Sequence, residues 1–167
     1  GYMGYQMYWD GNFQEYNPTT DQWVKKTNFP GLYPSEPASF TIGDKAYVCT
    51  GRFPSSLNCG SELWEYDPTT DSWTQKSDFA GIPRYGAVGF SIKNKGYILT
   101  GWDGTSYLND FWEYNPSTDT WKQLEDFKGV PRDYAVGFTV GNKAFIGTGR
   151  NDDGDLKDFW EFDPDYK

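Results

Sequence analysis

The chain has 167 residues, enough for one domain with a sizeable core. It carries 15 basic against 24 acidic side chains, a formal charge of −9 that repels a phosphate backbone and speaks against a nucleic-acid partner. Aromatic residues reach 20%, which suits pleated sheets, and no apolar run has the length of a membrane span, so membrane insertion is not expected.

Along the chain, the first element is FQEYNPTTDQW (13–23). It returns as LWEYDPTTDSW (63–73), FWEYNPSTDTW (111–121) and a shortened FWEFDPDYK (159–167). The glutamates of the four copies, Glu15, Glu65, Glu113 and Glu161, stand at steps of 50, 48 and 48 residues. A period of that size marks a repeat architecture.

The second repeat adds a two-residue turn signal, Gly43-Asp44, and both cysteines of the chain, Cys49 and Cys59. Too few soft ligands surround the cysteines for a metal site, which leaves two thiols or one local disulfide. A Cys49–Cys59 disulfide closing a hairpin loop is expected, and it favours an oxidising compartment.

The third repeat predicts four short strands at 87–92, 96–100, 110–114 and 120–124. The first pair is joined by Lys93-Asn94 and the last pair by residues 115–119, where Asn115 can bond the backbone ahead and Pro116 fixes φ. Two-residue hairpin turns need positive φ, which makes Lys93 the misfit of its set. No 3.6-residue apolar stripe of helical length occurs, so helix is not expected. Along Phe111-Trp112-Glu113-Tyr114 both faces of the strand carry aromatics, so both faces of the sheet must be covered. The fourth repeat has the turn Gly141-Asn142 and the acidic run RNDDGDLKD (150–158), whose Asp152, Asp153 and Asp155 are weak calcium candidates.

Four-stranded sheets standing face to face around an axis satisfy these constraints, and the residues resemble kelch-repeat β-propellers, the class that includes the propeller of galactose oxidase. The resemblance rests on Pro83-Arg84 and Pro131-Arg132, on Gly51, Gly101 and Gly149, on the aromatics Tyr16, Tyr66, Tyr114 and Phe162, and on Trp23, Trp73 and Trp121. Two departures stand out: Thr50-Gly51, Thr100-Gly101 and Thr148-Gly149 replace the double glycine of the family, and Tyr33-Pro34 falls where Pro-Arg is expected. The fold class is therefore all-β, a kelch-type propeller segment with blades at about 1–28, 38–78, 86–126 and 134–167. The middle two are complete and the outer two three-stranded, so the ring is open. The remaining blades are expected from the same longer chain or from other subunits.

The absence of histidine disfavours a copper radical oxidase and any Ser-His or Cys-His dyad, and no cofactor is expected. The four repeated glutamates read as structural, since catalysis seldom needs four copies. Function is expected on the variable loops of one face, with Arg52, Arg84, Tyr85, Trp102, Asp103, Tyr107, Arg132, Tyr134 and Arg150 as candidate binding residues; for Arg84 and Arg132 a structural ion pair is an equally open reading. The resulting expectation is a non-enzymatic module, from a secreted or cell-surface bacterial protein, that binds protein or glycan or builds an assembly. The alternatives are a segment of a sugar-converting propeller enzyme and a purely structural repeat subunit.

Overall fold

A computed structural model describes residues 11–32, 35–53 and 58–166. All of its regular structure is antiparallel sheet, and no helix occurs among the described residues. The first sheet pairs β1 (Gln14–Asn17) with β2 (Gln22–Lys25). The second runs in order through β3 (Ala38–Ile42), β4 (Lys45–Cys49), β5 (Leu63–Asp67) and β6 (Ser72–Lys76). The third repeats this with β7 (Val88–Ile92), β8 (Lys95–Leu99), β9 (Phe111–Asn115) and β10 (Thr120–Gln123). The fourth comprises β11 (Val136–Val140), β12 (Lys143–Gly147) and β15 (Phe159–Phe162), with a small hairpin of β13 (Arg150–Asn151) and β14 (Gly154–Asp155) in its loop. The third strand expected for the first blade falls among residues 1–10, outside the described residues.

The hairpin turns adopt two conformations. Gly43 and Gly141 alone take positive φ, +59° and +60°, whereas Lys93 and Asn94 both do, at +49° and +62°. Lys93 thus accepts the left-handed conformation its position imposes, and its ammonium pairs with Asp165 on the exposed rim.

Successive sheets pack through aromatic layers. Phe13, Ala46 and Tyr66 fill the first interface; Phe40, Tyr47, Leu63, Ile98 and Tyr114 the second; and Phe90, Tyr97, Phe111, Ile146 and Phe162 the third. The inner strands β3, β7 and β11 lie side by side, and glycine permits the approach: a Cβ on Gly89 would stand 2.5 Å from the Ser39 carbonyl oxygen. Ser39, Thr41, Ser91 and Thr139 line the concave axial groove they form.

The repeated phrase also grips its neighbour. Asp71, at φ +48°, accepts hydrogen bonds from the Tyr66 hydroxyl at 2.7 Å and from the Thr27 amide of the preceding blade at 3.0 Å. Trp73 donates its indole N–H to the Thr27 carbonyl at 3.0 Å. One repeat later Asp119 holds the Tyr114 hydroxyl and the Ser77 amide, and Trp121 donates to the Ser77 carbonyl at 3.1 Å. The Tyr-x-Pro-x-x-Asp-x-Trp spacing is therefore an inter-blade clasp as well as a turn. The glutamates are tied locally: Glu65 accepts from Lys45 at 2.7 Å and Tyr47 at 2.6 Å, and Glu161 pairs with Lys143.

The two cysteines remain thiols, contrary to the expected disulfide. Cys49 points into the second aromatic layer, and burial pushes its pKa up; Cys59 lies in the following loop, backbone-bridged to Arg52. The cysteine argument for an oxidising compartment goes with that bond.

Candidate functional site

The loops after β4, β8 and β12 and the connections entering β3, β7 and β11 meet on one face. Each second strand ends in a left-handed Thr and a glycine: φ is +64° at Thr50, +60° at Thr100 and +59° at Thr148. The glycines are needed because a Cβ on Gly101 or Gly149 would fall 2.9 or 2.5 Å from the carbonyl oxygen of Tyr85 or Asp133. This tight reversal delivers Arg52, Trp102 and Arg150 to equivalent positions, bridged respectively to Ser35, Tyr85 and Asp133.

Side chains there interleave cations and rings. The Arg52 guanidinium lies 5.3 Å over the ring of Tyr85, crossing from the second blade to the third. Arg150 lies 4.8 Å over Tyr134 and donates from Nε to the buried Asp133 at 3.1 Å. Trp102 meets Tyr107 edge to face at 4.4 Å. At the centre, Tyr134 (φ +51°) donates its hydroxyl to Glu36 at 2.5 Å, spanning from the fourth blade to the second. Backbone bonds run beneath it, from Gly86 N–H to the Glu36 carbonyl and from Tyr134 N–H to the Gly86 carbonyl.

Burial and the Glu36 hydrogen bond both raise the Tyr134 pKa, and burial raises that of Tyr85. Burial also raises the Asp133 carboxyl, with Arg150 offsetting part of the effect.

Three groups of sequence candidates do not belong to this surface. Arg84 and Arg132 are both 0% exposed. Arg84 donates from Nε to the Ile82 carbonyl and from Nη1 to the Thr100 carbonyl, forms a two-point pair with Asp110, and lies 5.0 Å over Phe79. Arg132 repeats this with Val130, Thr148 and Asp158 at 3.0, 3.0 and 2.6 Å and with Phe127 at 5.2 Å. A guanidinium with this many fixed partners is an internal strut joining a blade's entry to its third strand, unable to reach a ligand. Asp103 is half-buried and caps its own turn, accepting from the Thr105 and Ser106 amides at 2.7 Å. The calcium candidates Asp152, Asp153 and Asp155 lie on the β13–β14 hairpin, whose tip is closed by Asn151 accepting the Asp153 amide. No three potential metal ligands gather among the described residues.

Glu36, Asp133, Asp110 and Asp158 are structural partners that the loop reading passed over. The last two were signalled by Asp-x-Trp: Trp112 and Trp160 donate to Asp110 and Asp158 at 2.7 Å. Tyr33-Pro34, where Pro-Arg is expected, lies outside the described residues.

The family model of the KLHDC2/KLHL20/DRC7 Kelch-repeats domain matches residues 16–167. No curated protein matches the chain. The solved structure of YjhT superposes with a TM-score of 0.77 at 18% identity, over 91% of this chain and 56% of that one. At that identity the likeness is one of fold, and the chain spans a little over half the length of that propeller.

Proposed function

The chain belongs to the Kelch-repeat family, and from that premise we propose that it is a non-enzymatic binding module whose loop face receives a protein partner. The observation that carries this reading is the surface layer of Arg52 on Tyr85, Arg150 on Tyr134 and Trp102 against Tyr107. Arg, Trp and Tyr are the residues that dominate binding energy at protein interfaces, the two aromatics through large area at low entropic cost and arginine through its planar, multidentate guanidinium. Arg150 and Tyr134 are exposed, while Tyr85, Trp102 and Tyr107 are partly so. The faces of Tyr85 and Tyr134 already carry guanidinium groups. A partner therefore meets a preorganised cation–ring layer, and open stacking platforms for sugar are correspondingly reduced.

Binding is tested by screening the chain against protein and glycan arrays beside Trp102→Ala, Tyr134→Ala and Arg150→Ala variants. A protein ligand should be retained by the native chain and weakened at least tenfold by Trp102→Ala, about 1.4 kcal/mol. Glycan ligands alone, or turnover of a sugar abolished by replacing one loop carboxylate, would replace this reading by one of its rivals.

A further inference from the structure

The inter-blade clasp brings a tryptophan, a tyrosine and a carboxylate together in each of the first three copies of the repeat. Ring centroids stand 5.2 Å apart for Trp23 and Tyr16, 5.0 Å for Trp73 and Tyr66, and 4.9 Å for Trp121 and Tyr114. Each tyrosine hydroxyl donates to the aspartate of its own turn, Asp21, Asp71 or Asp119, at 2.7 Å. Exposure falls from indole to phenol: Trp23 is exposed and Trp73 and Trp121 are half-buried, whereas Tyr66 and Tyr114 are buried.

The two rings face different proton acceptors, and this gives the pair a direction. Trp73 and Trp121 donate their indole N–H to the neutral carbonyls of Thr27 and Ser77, which are very weak bases. The phenols face carboxylates, which are ionised at neutral pH and far stronger as bases. The tryptophans of the third strands have the reverse arrangement. Trp64, Trp112 and Trp160 donate to Glu62, Asp110 and Asp158 and lie against Phe29, Phe79 and Phe127. An indole radical cation formed there gives its proton to the carboxylate, and its ring neighbour is a phenyl group that it cannot oxidise.

We propose that the clasp is a one-electron relay, which carries an oxidising equivalent from the outer rim to a buried tyrosine. An oxidising radical in solution takes one electron from the outer indole. The indole cation keeps its proton, because the carbonyl beside it is too weak a base, and so remains a strong oxidant. One electron from the neighbouring tyrosine refills it while the phenolic proton crosses the hydrogen bond to the aspartate. The net change is one electron gained by the oxidant, a neutral tyrosyl radical and a protonated aspartate, with no bond between heavy atoms made or broken. Tyr66 and Tyr114 then hold the radical away from solvent.

Pulse radiolysis with the azide radical, which oxidises tryptophan in preference to tyrosine, tests the relay. The chain used carries Trp102→Phe, which removes the remaining Trp–Tyr ring contact among the described residues, that of Trp102 with Tyr107. Indole radical absorption should convert to tyrosyl absorption at a first-order rate that is independent of protein concentration and slower in heavy water. Asp21→Asn, Asp71→Asn and Asp119→Asn together keep an oxygen acceptor and tolerate the left-handed conformation of these positions, φ +48° to +53°, but remove the base. They should slow the conversion about tenfold or more. If circular dichroism shows that this variant is unfolded, the heavy-water comparison on the Trp102→Phe chain decides. Indole radicals that decay without forming tyrosyl, equal rates in light and heavy water, or an unchanged rate in the folded asparagine variant would overturn the proposal.

Discussion

Thr100 is a β-branched residue held at φ +60° with its side chain fully buried, and its hydroxyl oxygen has no hydrogen-bond partner. The left-handed conformation costs a non-glycine residue roughly 1–2 kcal/mol, and a buried unsatisfied hydroxyl about 1–3 kcal/mol. Thr100→Gly removes both, against the loss of a buried methyl and roughly 0.5–1 kcal/mol of added chain entropy. A net gain of about 1 kcal/mol is expected, read as a higher urea midpoint at unchanged slope. Thr50 should benefit less from the same change, since its hydroxyl accepts the Ala38 amide. The threonine was visible in the sequence as a departure from the double glycine. Its strain was not, because φ is set by how closely the Gly101 backbone must pass Tyr85.

The blade element is held by carboxylates as much as by rings. Arg132 holds the Asp158 carboxyl down to about 2, chiefly by hydrogen bonding. Asp110 is also lowered: burial raises it, but the Arg84 hydrogen bonds and charge prevail. Both folded values lie below the unfolded carboxylate value of about 3.9, so their stabilisation is complete above that pH and is lost as pH falls from about 4 toward 2. Asp133 acts in the opposite sense, since its raised carboxyl favours folding as it takes up a proton. Asp158→Asn should lower the thermal midpoint at pH 7 and flatten its fall between about pH 4 and 2, measured by circular dichroism across that range. Arg84→Ala leaves the less exposed acid, Asp110, half-buried without its partner and should cost about 3 kcal/mol, the lower end for breaking a buried pair. At this scale the sequence was largely legible: strand runs, turns and the aromatic layers follow from period-two patterning and from Asn-Pro chemistry. The struts were not, because Pro83-Arg84 and Asp110 are joined over 26 residues through a contact that neither local pattern contains. The sequence left Arg84 and Arg132 open between a ligand contact and a structural ion pair, and the burial that decides for the ion pair follows only once the third strand's Asp-x-Trp folds over them.

For the whole molecule, the decisive comparison is between one position in two consecutive blades. Phe90 on β7 is 4% exposed and Phe138, its equivalent on β11, is 48% exposed. Val136 and Val140 are likewise 49% and 62% exposed, where Val88 and Ile92 are each 3%. Local sequence is nearly the same, so the difference comes entirely from the presence of a following sheet, as expected when each repeat is stabilised by its neighbour's face. Phe90→Ala should therefore cost roughly 3–5 kcal/mol, and Phe138→Ala about 1 kcal/mol or less, in urea denaturation of the isolated chain. The ratio serves as a gauge of assembly, because any blade seated on β11, from a longer polypeptide or another subunit, converts Phe138 into a core residue. Repeating the pair of measurements over a range of protein concentrations then separates the two sources: a Phe138→Ala cost that grows with concentration identifies a partner subunit. A cost that already equals that of Phe90→Ala in dilute monomer would mean that the exposed face is covered from within the chain, and the open arc would have to be abandoned.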